Sequence, residues 1–308
     1  MIERISAPND LLERWLSACL RGFLKITFRS LIGSKLSVHA QRKWVDALAL
    51  LLPGHSGIKK HVRFLGDISV TTLIPKKVQK DGVILFLHGG AFCLGNPYTH
   101  RSLCTRLGLD SGLPIWIPDY RLAPEHPYPA ALQDAIKTYE AILKEGYAAH
   151  SIVIAGDSAG ASLALALAIT LNKAAKSPPA CVMMISPVTM GNTLRQKSTL
   201  GGREDPMLTM DWLNQSIRWF DVPHSAVEFA PLEISLNGLP PLLIQVGQEE
   251  MLLNDSLQLE SHALQSGVSC KLEIYLERWH VFHLQSFYLK SSRAAIRAMA
   301  RFALDHIS

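Results

Sequence analysis

The sequence predicts an α/β fold built on a mostly parallel sheet with helices on both faces. Two observations carry this. From about residue 60 onward, short β-like runs alternate with longer helical stretches to the carboxyl terminus. Several of those runs are apolar without a break, as strands buried on both faces are. The 308 residues, 48% hydrophobic and 19% charged, hold neither low-complexity tracts nor repeats. Such a chain can bury a sizeable core, and a single domain over residues 1–308 is the expectation.

Taken in order, residues 1 to about 55 read as helical. LLERWLSACLRGFLKITFRSLIG, residues 11–33, is a basic amphipathic stretch, a type that either packs on a protein body or lies weakly on a membrane surface. Packing on the body is the preferred reading. VHAQRKWVDALALLLPG, 38–54, stops at Pro53 and Gly54 as a helix should. The β-like runs HVRFLG, ISVTTLI and VILFLHG follow closely, and then PIWIPDY at 114–120. A helix over 130–146 leads to the strand SIVIAG, a helix over 161–175 and the strand ACVMMIS. After an irregular, partly helical insert at about 190–235 come PLLIQVG at 241–247, a helix over 255–267, KLEIYLE at 271–277 and a last helix to Ile307.

Composition narrows the function classes. A net charge of +5 with dispersed lysines and arginines argues against nucleic acid as a partner. Five cysteines, odd in number and without metal-ligand spacing, read as reduced thiols in a cytoplasmic protein and give no metal site. Charges interrupt the apolar residues between Leu11 and Ile32, so neither a signal peptide nor a spanning helix is expected. Whether the chain forms a homodimer is open.

In sheets of this kind, sites form at the carboxyl ends of strands, and four loops there carry chemistry. GDSAG, 156–160, sits between a strand and a helix, where a sharp turn excludes side chains at Gly156 and Gly160 and exposes the Ser158 hydroxyl. A serine needs a base to take its proton, and the base needs an acid to orient it. After PLLIQVG the chain offers Glu249, Glu250 and Asp255, and after KLEIYLE it offers His280 and His283. His280 lies just past the strand end and is the preferred base, whereas His283 reads as the first turn of the last helix. HGGAF, 88–92, follows VILFL and presents the backbone N–H groups of Gly89 and Gly90, joined by that of Ala159, as an oxyanion hole.

HGGAF, YRLAPEHPYPAA at 120–131 and GDSAG together resemble the hormone-sensitive lipase-like family of α/β-hydrolase carboxylesterases, over about residue 60 to the end. The resemblance implies an α/β-hydrolase fold with a helical cap, placed here at about 1–55 and 190–235. It implies Ser158 as nucleophile, His280 as base and Gly89, Gly90 and Ala159 as oxyanion donors. Where the family usually shows Asp-Pro-Leu, this chain has Glu250, Met251 and Leu252, so Glu250 becomes the acid, with Glu249 and Asp255 as the other choices. HVF stands at 280–282 where HGF is common. Glu125, His126 and Asp157 read as scaffold, and Met207, Met210, Trp212, Trp219 and Phe220 as roof to the acyl pocket.

The expected function is hydrolysis of short- to medium-chain acyl esters through an acyl-enzyme, on a small-molecule ester substrate and with no cofactor. An amidase, a long-chain lipase, or a non-catalytic ligand-binding receptor on the same fold are the alternatives. The presence of His280 weighs against the receptor.

Overall fold

In the computed structural model, residues 2–8, 10–30, 32, 36–78, 81–189 and 204–307 are described. Nine strands form one sheet: β1 (Ile2–Ile5), β2 (Ile58–Leu65), β3 (Ile68–Pro75), β4 (Val83–Leu87), β5 (Ile115–Pro118), β6 (Ile152–Asp157), β7 (Cys181–Ile185), β8 (Leu242–Gly247) and β9 (Cys270–Tyr275). Their spatial order is β1-β9-β8-β7-β6-β4-β5-β3-β2. β2 and β3 pair antiparallel, as do β3 and β5, and every other pairing is parallel. The fold is the α/β-hydrolase fold, mostly parallel and helix-covered, that the alternating pattern and the motifs predict.

The helices are α1 (Leu11–Leu24), α2 (Val38–Ala49), α3 (Arg101–Ser111), α4 (Ala130–Lys144), α5 (Ala159–Lys173), α6 (Met210–Phe220), α7 (Leu253–Gln265) and α8 (Lys290–His306). Period-2 geometry divides each central strand between two cores. Val83, Leu85 and Leu87 of β4 face one apolar cluster with α4 and α5. Ile84 and Phe86 face a second one with Leu103 and Leu107 of α3 and Ile296 and Met299 of α8. β4, β5 and β7 are therefore apolar at every position, whereas β8 carries the buried Gln245 and β6 ends on Asp157.

Two elements depart from the sequence reading. The first residues are not helical: Ile2–Ile5 runs parallel to β9, with Ile2 opposite Leu272 and Ile5 opposite Tyr275. Four residues carry little periodic signal, and what makes them a strand is the row of backbone groups that β9 would otherwise leave unpaired at the sheet edge. α3 has no counterpart in the sequence reading. Gly108 lies inside it, lowering its helix propensity, and Gly112, at φ 66°, ends it. Docking on the sheet, rather than helix propensity, holds it.

α1 begins at Asp10, whose side chain accepts from the Leu12 amide, and runs on through a π-helical turn over Lys25–Arg29. It is docked at one buried ion pair. The Glu13 carboxylate receives Arg278 Nη2 at 3.1 Å, the Ser291 hydroxyl at 2.6 Å and the Lys290 amide at 2.8 Å. Arg21 pairs with Glu249 farther along the same helix. α2 is tied to the body by Arg42, which grips Glu125 with two hydrogen bonds, and to α6 by Trp212 Nε1 donating to Gln41 Oε1 at 2.9 Å. Among the described residues no helix is long and apolar enough to cross a membrane.

Candidate active site

Ser158 occupies the turn between β6 and α5 at φ 52° and ψ −121°, a conformation unfavourable for a residue with a Cβ. The tightness of the turn explains its flanking residues. A Cβ on Gly156 would overlap the Gly160 carbonyl oxygen, and one on Gly160 would overlap the Leu87 carbonyl oxygen. The Ser158 amide donates to the Ile185 carbonyl at 2.7 Å, which pins the turn to β7. The hydroxyl is held at the amino terminus of α5, where the helix dipole favours negative charge.

His280 follows β9 and brings Nε2 to 3.0 Å from Ser158 Oγ. Its Nδ1 lies 2.7 Å from Glu250 Oε2, in the loop after β8. The other oxygen, Oε1, accepts from the Ser186 hydroxyl at 2.9 Å and from the Gly247 amide. All three side chains are buried. Burial opposes the imidazolium, but the hydrogen bond and charge of Glu250, with Asp205 and Asp157 behind it, outweigh this and hold the His280 pKa above its ordinary value. Burial raises the Glu250 carboxyl, against the pull of His280 and the Gly247 amide. Val281, in the position where glycine is common, adopts φ 47°. That left-handed backbone is the reason for glycine there.

The oxyanion loop corrects one expectation. The Gly89 amide is not aimed at a substrate: it donates to Asp157 Oδ1 at 3.0 Å and is approached by His100 Nε2 at 3.3 Å. A Cβ on Gly89 would strike the same carboxylate, so its glycine answers to Asp157. Burial raises the Asp157 pKa, but His100 and the Gly89 amide outweigh this and keep it below its ordinary value. Beyond that anchor the chain turns through Gly90 at φ 118° and Ala91 at φ 53°. Among the described residues nothing takes the amides of Gly90, Ala91 and Ala159, and Gly90 and Ala91 line the cavity that opens over Ser158.

This cavity measures about 410 Å³ and is almost wholly apolar. Its walls come from Leu16, Leu20 and Leu24 of α1, from Val45 and Leu48 of α2 and from Met207 and Trp212 near α6, with Ser158 and His280 at the base. Phe220 is not part of the wall; it stacks on Phe92 at 3.9 Å between centroids and so braces the oxyanion loop. The expected cap insert at 190–235 includes residues 190–203, which lie outside the described residues.

Comparison with known proteins agrees with this fold. Residues 84–284 match the family described as alpha/beta hydrolase fold. The chain is 31% identical over 293 residues to an esterase of Acinetobacter venetianus, covering 94% of this chain and 96% of that one. To an acetyl-hydrolase of Streptomyces hygroscopicus it is 37% identical over 232 residues, 74% of this chain and 77% of the other. A crystal structure of a hormone-sensitive lipase from a metagenome library superposes with a TM-score of 0.87 at 31% identity, over 95% of this chain and 98% of that one. The chain belongs to the hormone-sensitive lipase-like family of α/β-hydrolase carboxylesterases.

Within this carboxylesterase the remaining candidate residues lie apart from Ser158. Glu249 turns to Arg21, and Asp255 Oδ2 accepts from the Thr189 amide at 2.9 Å. His283 is in a separate 3-10 turn over Phe282–Gln285, not in the last helix as expected, because α8 starts only at Lys290. There its Nε2 meets Gln245 Oε1 at 2.9 Å, and burial pushes its imidazole down to about 3. Glu125 is on the surface against Arg42. Three participants escaped the sequence reading. Ser186, at the end of β7, holds Glu250, and its place past a strand end is the signal that marks it. His100 anchors Asp157, and Asp205 accepts from the Met251 amide beside Glu250; both lie far from any strand end in sequence, so no local pattern marks them. Among the described residues no cluster of three His, Cys, Asp or Glu is placed to hold a metal ion.

Proposed function

We propose that Ser158 is the nucleophile, His280 the general base and Glu250 the carboxylate that orients it. The observation that carries this is the unbroken chain Ser158 Oγ, His280 Nε2, His280 Nδ1, Glu250 Oε2, with steps of 3.0 Å and 2.7 Å at the base of an apolar cavity. As Oγ bonds to the ester carbonyl carbon, its proton passes to Nε2 and the carbonyl electron pair moves to oxygen. The amides of Gly90, Ala91 and Ala159 receive that oxyanion, with Ala91 in the place first expected of Gly89. Collapse breaks the bond to the alcohol oxygen, which takes the Nε2 proton and leaves. Water then repeats the sequence on the acyl-enzyme, releasing the carboxylic acid and restoring the Ser158 hydroxyl. Glu250 stays ionised and stabilises the imidazolium.

The substrates are neutral esters of short to medium acyl chains. The cavity is of ordinary ligand size, roughly 300–1,000 Å³ being usual, and its apolar walls favour an uncharged acyl chain. α1, α2 and the described part of 190–235 act as a cap within one α/β-hydrolase domain, whereas Ile2–Ile5, at the start of the expected cap range of about 1–55, belongs to the sheet. Ser158→Ala, assayed on a short-chain nitrophenyl ester, should lower kcat by about 10⁴-fold or more. Turnover at the wild-type rate would overturn the assignment.

A further inference from the structure

We propose that the outer face of α1 docks the enzyme on a lipid surface, so that neutral esters enter the cavity directly from the lipid. α1 is amphipathic, yet large apolar side chains also stand on the side that is not docked. Glu13, Leu16, Leu20 and Leu24 turn toward the body, while Leu11, Trp15 and Ile26 are 82%, 63% and 70% exposed. Leu11, Trp15, Cys19, Phe23 and Ile26 follow one another at intervals of three and four, which places them on one side of the helix. Large exposed apolar side chains in a contiguous run mark a surface that something covers.

The occupant is argued from three observations. First, the stripe is the rim of the cavity: Trp15, Cys19 and Phe23 both face solvent and line the space above Ser158. A second copy of the chain seated there would close the entrance, whereas a lipid surface supplies the substrate. Second, exposed Leu51 also lines that space, which carries the apolar rim across to the end of α2. Third, Arg14 stands exposed beside the stripe, as does Lys25, whose ammonium also lies 3.8 Å from the exposed Glu204 carboxylate; the only acid of α1, Glu13, is buried in its ion pair, and the chain carries +5 overall. An apolar stripe flanked by cations suits an interface containing anionic headgroups. The proposal rests on the reading of this cavity as the ester site.

The test uses the full chain and extruded vesicles of phosphatidylcholine with a minor fraction of phosphatidylglycerol. Ser158→Ala protein should co-sediment with them, and Leu11→Ser/Ile26→Ser in the same background should bind about tenfold more weakly or less. Neither Leu11 nor Ile26 lines the cavity, so with Ser158 intact the double variant should hydrolyse nitrophenyl acetate in solution within about twofold of wild type. On an ester dissolved in the vesicles its rate should fall with its binding. Arg14→Glu should weaken binding to the phosphatidylglycerol vesicles more than to pure phosphatidylcholine. No binding by the Ser158→Ala protein, equal binding by the double variant, or a dimer that the double variant abolishes would each overturn the proposal. Failure of the ester-site reading shows separately, as nitrophenyl acetate turnover that survives Ser158→Ala.

Discussion

Ser158 and Val281 both hold left-handed backbones on either side of the His280 imidazole, and the pairing of that ring with Glu250 sets the pH behaviour. In its proposed role as base His280 must be neutral, and its pKa is raised, so activity should be lost on acidification at a higher pH than an ordinary imidazole, about 6.5, would give. Glu250→Gln removes the charge and its contribution to the raised pKa. The acid limb of kcat/KM should therefore move to lower pH while kcat falls by about 10²–10⁴-fold. Glu249→Gln and Asp255→Asn should move neither, and a pH–rate series on the three variants checks this. At this scale the sequence was legible wherever a residue sits just past a strand: Ser158, Glu250 and His280 all do. The Gly89 amide was not, because its partner Asp157 is 68 positions away and the choice between substrate and carboxylate is made by tertiary contact.

Elements divide in the same way. The βαβ alternation is carried by mostly apolar strands, interrupted only at Gln245 of β8 and at Lys271 and Glu273 of β9, and they appear where the sequence puts them. β1 and α3 are made by their docking sites and show no pattern of their own. α1 was legible as an amphipathic helix, but not which side it would bury, since the buried side includes Glu13. Burial works against that carboxylate, and the hydrogen bonds from Ser291, the Lys290 amide and Arg278 outweigh it, so it stays ionised. Arg278→Ala leaves the charge without its partner in a dry site. We expect a loss of about 3–5 kcal/mol in unfolding free energy, measured by urea denaturation, whereas the exposed pair Arg63–Glu145 should cost at most about 1 kcal/mol when broken.

Across the whole molecule the thiols differ in exposure. Four of the five cysteines are buried and Cys19 alone is exposed. Burial pushes the Cys93 and Cys270 thiols up to about 12 and raises Cys104 and Cys181 as well. A disulfide reagent should therefore label one thiol in the native enzyme and all five in denaturant, a count read by absorbance. Because Cys19 lines the cavity, a bulky label there should slow longer acyl chains more than acetate. The claim on which the rest depends is covalent: the ester's acyl group passes through Ser158. Treatment with a serine-reactive phosphonate followed by peptide mass mapping tests it most directly. One adduct is expected, on Ser158, with hydrolysis lost in proportion to labelling; inactivation with the adduct on any other residue would refute a covalent role for Ser158.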